Sequence, residues 1–352
     1  MKNTIRLGAL AAVSALALAA CASAPAESPT ASAAPTTSVA PLDYLACMVS
    51  DSGGFDDKSF NQAGYEGLQS VSNDLGVQMK TAESTSDADF QPNIDAMVAA
   101  NCNLIITVGF LLADATAASA AANPDSDFAI IDFAYDPAIP NVKGLVFETD
   151  QAAFLAGYAA AGSTKTGTVA TFGGANIPTV TIFMSGFLAG VNYYNTETGG
   201  SVKVLGWDGK NGSFTDDFND QTKGQNLAQG FIDQGADIIM PVAGPVGLGA
   251  AAAAKAAGDV WIIGVDSDWT VATDYGDIIL TSVMKNMGPA VYEVVQDAAV
   301  GDGFSNENYV GTLENSGVGL GTSAAVVPPE VIAKLDELKA GIIDGSISVK
   351  LS

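Results

Sequence analysis

The chain has 352 residues, of which 48% are hydrophobic and 15% charged, a composition typical of a globular protein rather than a disordered one. Lysine and arginine number 14 against 39 aspartates and glutamates, and no basic cluster follows the N-terminus, which argues against nucleic acid as a partner. Histidine is absent, which excludes Ser-His-Asp and Cys-His catalysis and histidine-ligated zinc, and three cysteines cannot form a four-cysteine metal site.

The N-terminus has the pattern of a targeting segment. Two cations precede an apolar run of 14 residues, 7–20, which is too short to span a membrane and typical of a signal-peptide core. The run ends in Leu-Ala-Ala-Cys, which resembles a bacterial lipobox with Cys21 as the lipidated residue; an ordinary secreted protein is the alternative. Residues 22–41 are rich in alanine, serine, proline and threonine, which predicts a disordered tether. We therefore expect a signal peptide over 1–20 and a lipid anchor on the extracytoplasmic face of the cell membrane.

Apolar runs of strand length alternate with segments of helical length along the rest of the chain. This alternation predicts parallel sheets covered by helices on both faces. The predicted strands cover 45–50, 77–81, 104–108, 128–131, 144–147, 167–171, 202–206, 238–242, 260–265, 278–283 and 309–313.

The order of strands and helices occurs twice, which indicates two similar α/β lobes. Each half closes on an aspartate at the carboxyl end of a strand, Asp132 in the first and Asp266 in the second. Ligands of such sheets bind outside the carboxyl ends of the strands. We therefore expect a small-molecule site in the cleft between the lobes.

Two cysteines remain after the targeting segment. Export permits a disulfide. Cys47 lies in the first predicted strand and Cys102 directly precedes another, so the two can bond if those strands are neighbours. The alternative is a pair of small buried thiols.

The segment Asp-Ser-Gly-Gly-Phe-Asp-Asp-Lys-Ser-Phe-Asn, 51–61, follows the first strand and opens a helix. Ser59 and Gln62 form a capping-box pattern. This places Asp51 at the end of a strand and Phe60 on the first helical turn, both at the edge of the cleft. Phe60 can alternatively anchor the core, and Asp51 can be a turn or cap residue. We expect 56–58 to be solvated turn charges.

Two further loops follow strands of the second half. Phe214 stands in a polar, glycine-containing loop, which favours an exposed stacking role, and Asp216 is predicted to cap a helix over 217–234. The segment 244–249, Gly-Pro-Val-Gly-Leu-Gly, fits neither common phosphate-loop pattern, so we expect its backbone amides to approach a neutral polar ligand.

Asp266 lies at a strand end, where its two oxygens can accept hydrogen bonds from a vicinal diol. Lys285 would place a cation at the same rim, although it can also be a surface lysine. A calcium loop is the rival interpretation, because four aspartates cluster here. Valine stands where an EF-hand loop requires glycine, and no glutamate closes the loop. The clustered aspartates are Asp266, Asp268, Asp274 and Asp277.

In combination, these segments resemble the basic membrane lipoprotein family, which includes purine-nucleoside receptors of ABC importers. The resemblance covers about residues 42–345 and rests on 51–61, 212–216, 244–249 and 263–268, together with Phe154-Leu-Ala-Gly-Tyr158, Gly173-Gly-Ala-Asn-Ile-Pro178, Gly186-Phe-Leu-Ala-Gly190 and Thr281-Ser-Val-Met-Lys-Asn286. It implies an α/β, type I periplasmic-binding-protein fold, with two doubly wound parallel-sheet lobes joined by a three-crossover hinge. The expected N-terminal lobe is 42–148 plus about 270–305, and the C-terminal lobe is 149–268 plus about 306–352.

The resemblance also implies a set of ligand-binding positions. Phe60 and Phe214 would sandwich the base, and Asp266 and Lys285 would hold the ribose hydroxyls. Asp51 and Asp132 would contact the purine edge. Asn61 and Gly244 would line the same site.

The leading hypothesis is a monomeric, lipid-anchored receptor that closes on a purine nucleoside and delivers it to an ABC permease, without catalysis, metal or cofactor. A receptor for another sugar or polyol is the second hypothesis. A calcium-dependent nucleoside hydrolase is the third, and a signalling input that has lost its permease contact is the fourth.

Overall fold

A computed structural model of the chain describes residues 39–351. The predicted signal peptide, Cys21 and residues 22–38 of the predicted tether lie outside the described residues. The strands are β1 (Leu45–Ser50), β2 (Gln78–Ala82), β3 (Leu104–Val108), β4 (Asp127–Ile131), β5 (Val142–Phe147), β6 (Thr168–Gly173), β7 (Lys203–Leu205), β8 (Ile238–Val242), β9 (Trp261–Asp266), β10 (Ile279–Lys285), β11 (Tyr309–Gly311) and β12 (Val318–Leu320).

The helices connect these strands. They are α1 (Phe60–Leu75), α2 (Phe90–Ala99), α3 (Ala113–Ala122), α4 (Thr149–Ser163), α5 (Pro178–Thr198), α6 (Gln221–Ile232), α7 (Val246–Ala257), α8 (Trp269–Ala272), α9 (Met287–Val300) and α10 (Pro329–Ile343). Within residues 39–351, none of them is both long enough and apolar enough to cross a membrane.

The strands form two six-stranded sheets with matching topology. The first has the order β2-β1-β3-β4-β5-β11 and the second the order β7-β6-β8-β9-β10-β12. All pairs are parallel except β10 with β12. Two central strands, β3 and β8, are buried along their whole length, because helices cover both faces of each sheet. The predicted α/β fold with two doubly wound sheets is confirmed.

The first helix shows how the sequence specifies an element of this fold. The buried face of α1 includes Gly64, Gly67, Leu68 and Val71, at helical spacing. The helix ends at Gly76, whose φ of 74° is left-handed and whose N–H donates to the carbonyl of Ser72 at 2.9 Å.

We call each sheet with the helices that cover it a lobe. The chain passes between the lobes between β5 and α4, between β10 and α9, and between β11 and β12. The expected lobe boundaries are wrong for two strands: β10 pairs with β9 in the second sheet, and β11 pairs with β5 in the first. Both sheets require the same apolar pattern, so the pattern of a strand does not reveal which sheet it joins.

The predicted strands agree with the observed ones to within about two residues at each end, and β12 is the strand that the prediction missed. It has only three residues and pairs antiparallel at the edge of the second sheet. A segment that short and rich in glycine carries too few alternating positions to be identified from its pattern.

The two cysteines of the first lobe are joined. β1 and β3 are neighbouring strands, and a disulfide links Cys47 to Cys102 with their Cα atoms 6.0 Å apart. Both residues are buried in the layer between this sheet and α2 and α3. The bond therefore ties the start of β3 to the middle of β1.

Candidate ligand-binding site

A cavity lies between the carboxyl ends of the strands of the two sheets. The space between its lining residues that protein atoms do not occupy is about 590 Å³, part of it open to solvent. Ten of its lining residues end a strand or follow one within two residues, five in each lobe. Among them are Asp51, Gly109, Asp132, Gly244, Asp266 and Lys285.

The aspartates that close the two halves occupy equivalent backbone conformations. Asp132 has a φ of 70° and Asp266 a φ of 68°, both left-handed. Aspartate is among the few residues other than glycine that adopt this conformation readily. The internal repeat therefore places a carboxylate of each lobe at the same cavity.

The turn before α1 is organised by Asp57. Its carboxylate accepts hydrogen bonds from the backbone N–H groups of Ser59 and Asn61, both at 2.9 Å, and of Gln62 at 3.0 Å. It is 5% exposed, so the expectation of a solvated charge is wrong. The capping box is also wrong, because Asp57 already satisfies the donors that the Ser59 hydroxyl would take. A carboxylate at a helix N-terminus is favoured by the helix dipole as well.

One end of the cavity is formed by Asp51 and Asn61. The Asn61 amide donates to Oδ1 of Asp51 at 2.8 Å, and its own Oδ1 is buried without a hydrogen-bond partner among the described residues. A Cβ at Gly109 would lie 2.5 Å from Oδ2 of Asp51, so glycine is needed there for this approach. This end therefore presents a carboxyl group beside an unsatisfied amide oxygen.

The other end is formed around Lys285. Its ammonium pairs with Asp132 and lies 4.7 Å from the ring centre of Phe60, 5.6 Å from that of Phe147 and 5.7 Å from that of Phe183. The residue is 3% exposed, so the surface-lysine alternative is wrong. Aromatic faces attract a cation of this kind, and they fix the position of the charge.

Burial dominates the ionisation of the acids in the cavity. It raises the pKa of Asp51 to about 8, assisted by the charges of Asp57 and Asp132. It raises the pKa of Asp266 to about 6, where the charge of Lys285 opposes the rise. At neutral pH, Asp51 therefore carries a proton that it can donate, whereas Asp266 is an ionised acceptor.

The aromatic residue that was expected to line the cavity from the second lobe, Phe214, does not line it. Phe60 lines the cavity from the first lobe, and Phe218, not Phe214, lines it from the second. Phe214 packs edge-on against Trp207, with ring centres 6.2 Å apart. Isolated bridges hold this loop, one of them pairing Phe214 with Gly173 at the end of β6. Phe214 was expected in the cavity lining, and Phe218 occupies the lining instead.

The position of Phe218 follows from where α6 begins. The helix starts at Gln221, and Asp220 caps it by accepting from the Thr222 N–H at 2.9 Å, so the predicted start at 217 and the cap at Asp216 are wrong. Phe218 thus lies just before a helix start, as Phe60 lies at the start of α1. The Phe218 ring lies over Gly174, where a Cβ would collide with the ring.

The backbone and the apolar wall complete the lining. Gly244 lines the cavity with a left-handed φ of 51°. Phe183, Thr179 and Val180 of α5 line it as well, and the sequence reasoning did not assign them to the site. The buried apolar face of a helix has the same pattern whether it packs in the core or lines a cavity. The sequence therefore gives no local signal that assigns residues of α5 to the site.

The aspartates of the calcium interpretation are engaged separately. Asp268 accepts from the Thr270 N–H at 3.0 Å at the start of α8, and Asp277 pairs with Lys255 at 3.1 Å. Within residues 39–351, no three acidic, cysteine or histidine side chains are grouped so that they could hold a metal ion.

Known proteins resemble this chain over most of its length. The nucleoside-binding protein BmpA of an ABC transporter of Lactococcus lactis is 31% identical over 87% of this chain and 89% of its own. Basic membrane protein A of Borreliella burgdorferi is 31% identical over 84% of this chain and 85% of its own. A solute-binding protein of an ABC transporter system from Aeropyrum pernix has a similar solved structure, with a TM-score of 0.77 and 26% identity over 87% of this chain and 92% of its own.

The model of one protein family, Bmp, described as ABC transporter substrate-binding protein PnrA-like, matches residues 45–352. The match covers both lobes, and the resemblance seen in the sequence is confirmed. The chain belongs to this family of ABC transporter substrate-binding proteins.

Proposed function

We propose that the chain binds a nucleoside, and specifically a purine nucleoside, in the cavity between its lobes and delivers it to an ABC permease. The observation that carries the proposal is the pair of phenylalanines, Phe60 and Phe218, that line one cavity from opposite lobes. Two rings on either side of a cleft can stack on both faces of a flat base, which contributes about 1–3 kcal/mol for each base stacked. The name of the Lactococcus lactis relative as a nucleoside-binding protein supports the same conclusion.

The sugar would lie at the end of the cavity formed by Asp266 and Lys285. Asp266 is ionised at neutral pH and can accept hydrogen bonds from the two ribose hydroxyls. Lys285 can donate to the same hydroxyls. Asp132 is paired with Lys285, so we place it at this sugar end rather than at the purine edge.

The base edge would lie at Asp51 and Asn61. Protonated Asp51 can donate to a ring nitrogen or carbonyl of the base, and Oδ1 of Asn61 can accept from an N–H group. A buried polar atom that lacks a partner costs free energy until a ligand satisfies it. This donor and acceptor provide the recognition of the base that stacking alone does not provide.

The charge of the cavity favours a nucleoside over a nucleotide. Four aspartates line the cavity, and Lys285 is the one cation among the lining residues. A phosphate would bring further negative charge into a poorly solvated site and would be disfavoured. The four aspartates are Asp51, Asp57, Asp132 and Asp266.

Membership of the family places the chain outside the cytoplasm and at the membrane. We propose that the attachment is a lipid on Cys21 and that the receptor is a monomer. Labelling of cells with a radioactive fatty acid should mark the wild-type protein, while Cys21→Ser should be unlabelled and released from membranes. Equal labelling of both proteins would contradict the lipid anchor.

The ligand is tested by calorimetry on residues 22–352, which omit the predicted signal peptide and Cys21. Inosine, guanosine, adenosine, cytidine, ribose and myo-inositol are titrated in turn, while release of free base is assayed in parallel. A dissociation constant near 1 μM, which corresponds to about −8 kcal/mol, is expected for a purine nucleoside. Binding of a polyol alone would identify the second hypothesis, released base would indicate a hydrolase, and no heat with any nucleoside would refute the proposal.

A further inference from the structure

The two lobes exchange hydrogen bonds beside the cavity. The hydroxyl of Ser59, in the first lobe, donates to Oδ2 of Asp266, in the second lobe, at 3.0 Å. The hydroxyl of Ser267 donates in the opposite direction, to the carbonyl of Lys58, at 3.2 Å. Two consecutive residues of one lobe thus contact two consecutive residues of the other, and we call this pair of hydrogen bonds the latch.

The latch occupies only half of the Asp266 carboxylate. Oδ2 accepts from Ser59, whereas Oδ1 accepts no hydrogen bond from the residues that the structure describes. Asp266 lines the cavity, and Ser59, which is 2% exposed, does not. The Ser59 bond therefore restricts rotation of the carboxylate and leaves one oxygen for a ligand.

Ser59 is itself held firmly. Its backbone N–H donates to Asp57, which also holds the following residues of the first turn of α1. The next residue is Phe60, whose ring lines the cavity. The hydroxyl that reaches Asp266 and the ring that would stack on the base therefore belong to one rigid turn and move together when the lobes separate.

We propose that Ser59 is a positioning residue that couples closure of the two lobes to ligand binding, by fixing the Asp266 carboxylate so that its free oxygen meets the sugar diol. This inference rests on the proposed function of the site. Closure would bring Ser59 of the first lobe to Asp266 of the second lobe in the same movement that brings Phe60 to the base.

Electrostatics gives the role of Ser59 a distinctive signature. The Ser59 hydrogen bond lowers the pKa of Asp266, as does the charge of Lys285, while burial and the charges of Asp132 and Asp57 raise it. Removing the hydroxyl therefore raises the pKa of Asp266. Because the proposed binding needs ionised Asp266, a protein without this hydroxyl would lose affinity at a higher pH than the wild type does when the solution is acidified.

The test compares Ser59→Ala, Ser59→Thr and Ser267→Ala by calorimetry with the nucleoside that the wild type binds, from pH 5 to pH 8. Ser59→Ala should bind about tenfold more weakly at pH 7, the scale of a hydrogen bond to a charged group. Its loss of affinity in acid should begin at higher pH than in the wild type. Ser59→Thr keeps the hydroxyl and should keep the wild-type pH profile. Ser267→Ala is the matched control, because it removes the other latch bond and leaves the hydrogen bond from Ser59 to Asp266 in place.

Several outcomes would overturn the inference while leaving the proposed function intact. These are unchanged affinity in Ser59→Ala, a loss of affinity that is uniform over the pH range, or the same pH shift in Ser267→Ala. If the wild type binds no nucleoside, the proposed function fails separately. The inference about Ser59 rests on that function and is refuted with it.

Discussion

Replacing Phe218 with alanine distinguishes its role from that of Phe214, which lies in the same loop. Phe218 lines the cavity and Phe214 does not, so only Phe218→Ala removes a ring from the proposed stack. Stacking of one base on one ring contributes about 1–3 kcal/mol, which corresponds to a loss of affinity of about 5-fold to 150-fold. Phe60→Ala should cost at least as much, because the Lys285 ammonium also lies 4.7 Å from the centre of that ring.

Phe214→Ala is the matched control, since it removes the same ring from the same loop. Phe214 is partly buried and packs against Trp207, so its loss should lower the free energy of unfolding by about 1–3 kcal/mol, less than a fully buried phenylalanine would. Its affinity for the nucleoside should stay within about threefold of the wild type.

The assay is calorimetric titration of the three variants, with urea unfolding as the measure of stability. The comparison is informative because both changes remove one benzyl ring and differ only in where that ring lies. A Phe214→Ala protein that loses affinity, beside a Phe218→Ala protein that keeps it, would refute the assignment of the second ring.

Three other predictions concern the ionisation of a site residue, the disulfide of the first lobe and a glycine that lines the cavity. Nucleoside affinity should fall above about pH 8, because ionisation of Asp51 removes a donor and adds a negative charge, and Asp51→Asn should flatten this limb in titrations from pH 6 to pH 10. A Cys47→Ser, Cys102→Ser protein should lose about 4 kcal/mol of stability in urea, the loop-closure value for a separation of 55 residues, and an unchanged midpoint would argue against a disulfide in solution. Gly109→Ala should lose at least about 1–3 kcal/mol in urea, since its φ is 119° and a Cβ would crowd Asp51, whereas Gly230→Ala, on α6 with open space around it, should lose none.

The strands, the helices and several residues of the site could be predicted from the sequence. Buried strands of parallel sheets are continuous apolar runs, so their positions and the α/β class followed from composition and period. Asp132 and Asp266 were identifiable because a polar residue that ends such a run must lie at the edge of the sheet. Cys47 and Cys102 were identifiable in the same way, as neighbours if their strands were adjacent.

Which side chains meet could not be predicted from the sequence. Loops lack a period, so the sequence did not distinguish Phe214 from Phe218, and it did not show that Asp57 is buried. The contact of Ser59 with Asp266 joins residues 207 positions apart, and β10 and β11 join sheets that their own residues do not specify. Local pattern encodes which apolar residues of a strand or helix are buried, whereas the burial of a polar loop residue and the partner of a buried group depend on how distant segments pack.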